Sequence, residues 1–338
     1  MKPLAECLVG KADLQQFEML RKQYDSGRLA LFAGLGISCG SGLPNWETLT
    51  KRLLESMPRG SAVYEGLRAT GYSLPAMLSW AGVRLDAKFR EKLRGTLYEK
   101  LDPWFRQGME GLELRDKVRL TNPTLAAVAA FLGLREGDAV VPNPKVRAVV
   151  TTNADTLLRY YSRTAFHSDY LRTVERASAG PIPGRINVYH LHGMIRFDSK
   201  RYPSKEATDH LIFTDLDYYV AYRELGSIFT YTPLYLFREY SFLFIGTRLT
   251  DDNIRRLLYW CQREIVSAYR AEKARPPLDK RIRHFALVPR GESPEAMKVL
   301  LRPLGVAPIW YRSHSDLPSI LSALYADEAS WSYMYGGA

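Results

Sequence analysis

The stretch that decides the fold is LALFAGLGISCGSGLPNW, residues 29–46. Leu29 to Ala33 is a short apolar run that reads as a buried strand. It ends in Gly34-Leu35-Gly36, then Ser38, then Gly42-Leu43-Pro44. An apolar strand followed by glycines and a helix start suits a backbone that must approach a phosphate closely. The common dinucleotide fingerprint needs a third glycine at position 39, where this chain has Cys39.

Outward from this loop, short apolar runs recur as strand candidates at 146–151, 187–191, 241–245, 284–288 and 306–310. Amphipathic stretches lie between them. Trp46, Leu49, Leu53, Leu54 and Met57 recur at helical spacing, as do Ile254, Leu257, Leu258, Cys261 and Ile265. Residues 60–145 show no strong strand and read as helical. The alternation predicts an α/β fold, a Rossmann-like doubly wound parallel sheet with a helical insertion. The expected layout is a single domain over 1–338, with its core in 28–58 and 146–326, the insertion at 59–145 and a C-terminal tail at 327–338. The chemical-looking residues Gly34, Asn153, His192 and Gly246 each follow a strand, at the sheet edge where open α/β folds bind ligands.

Composition narrows the class. The chain has 338 residues, is 46% hydrophobic and 25% charged, and carries a net charge of +11. No apolar run reaches the roughly 18 residues of a membrane span, and MKPLAECLVGKADL has no apolar signal core. Cys7, Cys39 and Cys261 lie far apart, which argues against a disulfide framework or a cysteine zinc site. A cytoplasmic setting without membrane contact and without bound metal is expected. The stretch RAEKARPPLDKRIR, residues 270–283, holds six basic and two acidic side chains. It reads as a solvated loop, with a nucleic-acid or partner patch as the alternative.

Three downstream pieces make the first loop specific. GLGISCGSGLPNW resembles the first loop of the sirtuins, glycine-alanine-glycine-x-serine followed by serine-glycine-isoleucine-proline. TTNADTL (151–157) resembles their threonine-glutamine-asparagine-x-aspartate segment, and LHG (191–193) their histidine-glycine pair. FIGTRLTDDNIRRLL (244–258) is similar to the late strand-to-helix turn that meets the adenosine end of NAD. There are departures. Sirtuin deacylases carry four zinc-binding cysteines after the histidine, whereas only Cys261 lies downstream here. Asn45-Trp46-Glu47 stands where deacylases have aspartate-phenylalanine-arginine, and Arg248 where they have serine. The chain looks like the sirtuin-like NAD-hydrolysing effectors of bacterial anti-phage defence.

That resemblance implies NAD as substrate, cut at the nicotinamide–ribose bond. It makes His192 the base and Asn153 the group that orients a ribose hydroxyl or water. The remaining candidates for contact with NAD are Gly34, Leu35, Gly36, Ser38, Gly42, Pro44 and Trp46 in the first loop, then Thr152 and Asp155, then Gly246, Thr247, Asp251 and Asn253. The Gly34–Ser38 amides are expected to face the pyrophosphate, and Asp155 the nicotinamide carboxamide. Plainer roles compete. Asn153 or Asp155 could cap or open a helix, Trp46 could be core, Asp251 and Asn253 could cap, and His190 reads as structural. The alternative functions are an NAD- or ADP-ribose-binding or nucleic-acid-processing subunit of a defence complex, and a protein deacylase. A homo-oligomer is expected, with a DNA-translocating ATPase or a short Argonaute as further partner and nucleic acid reached through it. The tail Trp331-Ser332-Tyr333-Met334-Tyr335 is a candidate contact surface.

Overall fold

The computed structural model describes residues 2–134, 143, 145–174, 182, 184–196, 211–223, 228–272, 281–291 and 293–326. The seven strands described are β1 (Leu29–Ala33), β2 (Val146–Thr151), β3 (Leu171–Val174), β4 (Ile186–His190), β5 (Ser241–Ile245), β6 (His284–Pro289) and β7 (Val306–Tyr311). They form one sheet in the order β3-β4-β2-β1-β5-β6-β7, and all of its pairings are parallel. The expected α/β, Rossmann-like architecture is therefore the one adopted.

β1 sits at the centre, between β2 and β5. All five of its residues are buried, because helices cover both faces. Leu29, Leu31 and Ala33 enter one apolar cluster, while Ala30 and Phe32 enter the other. β5 alternates likewise, with Leu243 and Ile245 on the first side and Phe242 and Phe244 on the second. This two-sided burial is why LALFA and SFLFI are continuous apolar runs rather than alternating ones.

Between β1 and β2 the described elements are all helical and include Trp46–Glu55, Gly60–Ala69, Leu74–Leu85, Phe89–Leu97, Pro103–Arg106, Gly111–Thr121 and Pro123–Phe131. These helices share a core with the sheet, since Met77, Leu78, Leu93 and Val118 join the cluster that holds Leu29 and Leu31. Two elements have no counterpart in the sequence reading. β3 is a short edge strand whose middle residues, Arg172 and Thr173, are only partly buried, so it carries no apolar run. The helix Ile228–Glu239 contains Pro233, a residue that normally argues against a helix interior. The expected tail at 327–338 lies outside the described residues, as do 197–210 and most of the basic stretch, 273–280.

The strand order places a switch point between β1 and β5, where connections leave in opposite directions. There the two following loops cross at backbone distance. Gly34 N–H donates to Ile245 O at 2.8 Å, and Gly36 N–H to Gly246 O at 2.8 Å. A Cβ on Gly34 would fall on the Gly246 carbonyl, and one on Gly36 would lie 2.7 Å from Gly246 Cα. Gly246 itself has φ of 68°. The glycines after β1 are thus used first for contact between two loops.

Gly34→Ala is expected to lower the free energy of unfolding by roughly 1–3 kcal/mol, the usual scale for forced overpacking. Gly66→Ala, on an exposed helix with nothing within 4 Å of the added carbon, should instead be neutral or stabilising by up to about 1 kcal/mol. Chemical denaturation of the two variants beside the parent chain measures both.

Candidate active site

Four loops meet above the C-terminal ends of β1, β2, β4 and β5. The loop after β1 is tied down from the helical region by Asn122. Its Nδ2 donates to Ile37 O and to Ser41 Oγ, both at 2.9 Å, while its Oδ1 accepts from Leu125 N at the start of the helix Pro123–Phe131. Gly42, at φ 87°, lets the same loop lie against the Lys100 backbone. Pro44 is buried, Leu35 is half-buried, and Trp46 is half-buried with its ring 4.9 Å from that of Phe213. Asn45 caps the helix Trp46–Glu55 by accepting from Thr48 N.

Four amides of this loop are already used. Besides Gly34 and Gly36, Ile37 N–H donates to Gly34 O and Ser38 N–H to Leu35 O. The expectation that amides from Gly34 to Ser38 face a pyrophosphate is therefore not what this arrangement shows for those four. The cause is the tight crossing with the β5 loop for the first two and the loop's own 3-10 turn for the others. The side chain of Ser38 points elsewhere, donating from Oγ to Asp155 Oδ1 at 3.0 Å.

After β2, Thr151 Oγ1 donates to Ala33 O at 2.7 Å and accepts from Asn153 N at 2.9 Å, joining the two loops. Thr152 is half-buried. The following helix starts at Leu157, and its N–H bonds Asp155 Oδ1 at 3.1 Å. Asp155 thus does the capping work considered for Asn153. Ala33, Ile37, Thr151, Asn153, Asp155 and His190 line one small cavity. His190 Nδ1 donates to Asn153 O at 3.0 Å, which fixes its tautomer, because a carbonyl can only accept. Burial lowers the His190 pKa to about 4, so the ring is a neutral strut.

Asp155 is the outlying group in this cavity. Its residue is 4% exposed. Oδ1 has two donors, yet Oδ2 is buried without a hydrogen-bond partner. Burial pushes its pKa up to about 6 against those two stabilising bonds. A buried acceptor left without a donor is costly unless something donates to it.

His192 forms a second cluster beside the first. It is 5% exposed and caged by groups from two elements. Tyr218, on the helix Asp215–Ala221, places its hydroxyl 3.4 Å from Nδ1, and Tyr222 places its own 3.3 Å from Nε2. The two phenol rings stack at 5.9 Å. Asp251 Oδ2 lies 3.6 Å from His192 Nε2. Asp251 Oδ1 accepts from Asn253 N and Ile254 N, capping the helix Asp252–Ala271. Desolvation lowers the His192 pKa, partly offset by Asp251, while burial and then Asp251 push both phenols well up. Asn253 accepts from Arg256, and Thr247 Oγ1 from Leu249 N.

The structure thus gathers Asn153 and Asp155 at one cavity, with Ser38 bonded to Asp155, and sets Asp251 against His192 rather than out along the late turn. Tyr218, Tyr222 and Asn122 have no place in the sequence reading. Tyr218 and Tyr222 stand four apart, the spacing that puts two side chains on one helix face. Asn122 precedes Pro123, a common helix start. Among the described residues no group of three or more His, Cys, Asp or Glu side chains could hold a metal, and none of the described helices is long and apolar enough to cross a membrane.

The histidine environments carry a pH signature. His190 and His284, lowered to about 4 and about 3 mainly by burial, stay neutral in the fold while the unfolded chain binds protons below about pH 6.5. Their contribution to stability is present above about pH 6.5 and is lost as pH falls towards those folded values. Imidazole resonances of both rings should keep neutral shifts at pH 5.5, and titration of either near 6.5 would contradict the burial.

With that geometry in place, comparison adds one finding. Residues 147–309 match a family model described as a SIR2-like domain. No curated protein matches the chain. The matched stretch takes in Asn153, His190, His192 and Asp251 and begins inside β2, after the glycine loop. SIR2-like domains use NAD, and over residues 147–309 this chain, with its asparagine and histidine loops at one sheet edge, is similar to a SIR2-like domain.

Proposed function

We propose that this protein hydrolyses NAD to nicotinamide and ADP-ribose, as an effector of prokaryotic antiviral defence. The observation that carries the reading is Asp155, which lines a cavity with Asn153 and whose Oδ2 is buried without a hydrogen-bond partner. A carboxamide N–H is the neutral donor such an oxygen lacks, and nicotinamide presents one.

The chemistry follows from the groups present. As the bond between C1′ of the ribose and the ring nitrogen breaks, its electron pair goes to the nicotinamide ring, which leaves neutral. The ribose becomes cation-like. Water adds at C1′ and must lose a proton. His192 is held neutral by burial, so it can accept that proton. Asn153 offers an amide to orient the water or a ribose hydroxyl. Asp155, anchored by Ser38 and the Leu157 amide, fixes the leaving group so that the bond to be cut has one orientation. A deacylase reading gains nothing here, since the chain has a single cysteine after His192, Cys261, and it is buried.

Regulation through assembly accompanies this reading: a homo-oligomer, with a DNA-translocating ATPase or a short Argonaute as further partner. It is supported by the resemblance and by apolar side chains left at the surface, including Tyr219, Val220 and Tyr231.

Chromatography of purified protein incubated with NAD, alone and with the product of a neighbouring gene, tests the proposal. Nicotinamide and ADP-ribose are the expected products. His192→Ala and Asn153→Ala should each lower turnover by at least roughly 10²-fold while remaining folded. Intact NAD under every condition, or parental turnover in either folded variant, would overturn it.

A further inference from the structure

We infer that Asp251 is the positioning residue of His192: it fixes the imidazole tautomer with the proton on Nε2 and leaves Nδ1 as the basic nitrogen. This rests on the reading of His192 as the base.

The inference starts from how Asp251 is held. One carboxylate oxygen, Oδ1, is pinned by the amides of Asn253 and Ile254 at 2.9 and 3.1 Å. The plane of the carboxylate is therefore set by the helix it caps. Its other oxygen, Oδ2, faces His192 Nε2 at 3.6 Å. That is roughly 0.6 Å longer than an N–H···O bond, and contacts of this kind commonly tighten once substrate is bound. A carboxylate can only accept, so it favours a proton on the nitrogen it faces. Tyr222, whose hydroxyl lies 3.3 Å from the same nitrogen, can accept as well as donate and fits the same tautomer. On the other side the Tyr218 hydroxyl lies 3.4 Å from Nδ1, where the Nε2–H tautomer makes it the donor. Burial and the Asp251 charge keep both phenols protonated, so the Tyr218 O–H can donate, to Nδ1 or to the Asp251 carboxylate with which it also bonds. The Nε2–H tautomer thus offers its one proton to Asp251 and Tyr222 together and leaves Nδ1 open to the Tyr218 hydroxyl.

The position of the Tyr218 hydroxyl has a further meaning. It occupies the point from which a water or a ribose hydroxyl would deliver its proton to Nδ1. Substrate then exchanges one O–H donor for another at the same nitrogen, and Tyr218 gives way.

The cap makes Asp251→Asn a sharp test. To keep accepting from Asn253 N and Ile254 N, the amide must turn its oxygen towards the helix. Its NH2 then faces His192 Nε2 as a donor and drives the proton to Nδ1. The variant should stay folded, because asparagine is as good a cap as aspartate. Nitrogen-15 chemical shifts of the His192 ring, measured on the full chain without NAD, should show Nε2–H in the parent and Nδ1–H in Asp251→Asn. This measurement stands whether or not NAD is the substrate. With NAD, kcat should fall by about 10²-fold or more, as expected when a base is held in the wrong tautomer, while KM changes less than about threefold, since the contact serves the base and not binding. Asp252→Asn, on the exposed neighbouring residue, should alter neither. An unchanged tautomer in Asp251→Asn, or a raised KM with kcat kept, would overturn the inference and return Asp251 to contact with the nucleotide. Nicotinamide release lost in the parent chain itself, with the tautomer change present, would count against the hydrolase reading alone.

Discussion

The structure depends on a crossing of two backbones. The loops after β1 and β5 touch through Gly34, Gly36 and Gly246, with hydrogen bonds of 2.8 Å from Gly34 N to Ile245 O and from Gly36 N to Gly246 O. No side chain fits between them. That contact fixes the loop that carries Ser38 and, on the other side, the turn that leads to Asp251. Since Ser38 bonds Asp155 and Asp251 faces His192, both halves of the site are placed by it. It also explains a mismatch with the usual reading of such loops, in which glycine lets phosphate approach backbone N–H groups. Here the glycines let backbone approach backbone, and the amides of Gly34 and Gly36 are used in doing so.

The sheet was legible in the residues because burial on both faces writes strands as unbroken apolar runs. LALFA and SFLFI could hardly be anything else at that length, and VRAVVT departs from the pattern only at the exposed Arg147. What escaped was whatever broke this signature. β3 is an edge strand with Arg172 and Thr173 at its middle. The helix Ile228–Glu239 carries Pro233 and packs against Asp252–Ala271, so its stability comes from tertiary contact rather than from its own pattern.

The site was legible where it follows strand ends. Asn153, Asp155 and His192 could be picked out by position and by resemblance, and Asp155 and Asn153 do share a cavity. The partners of His192 were not legible, because they come from elements far apart in sequence. Tyr218 and Tyr222 lie on and just after one short helix, and Asp251 at the head of another. Nothing in the sequence says that these loops fold over the same ring. Asp251 shows the difficulty well: its capping role could be read locally, whereas the direction of its second oxygen is set by the whole sheet. His190 reads as structural in sequence and is a neutral strut beneath Asn153 in the fold.

The central claim is that the open oxygen of Asp155 receives the carboxamide of NAD. The most direct measurement is a crystal structure of the inactive His192→Ala chain with NAD bound. The expected result is the carboxamide nitrogen about 3 Å from Asp155 Oδ2, with the ribose turned towards Asn153. NAD bound with its carboxamide away from Asp155, and that oxygen still without a donor, would contradict the claim.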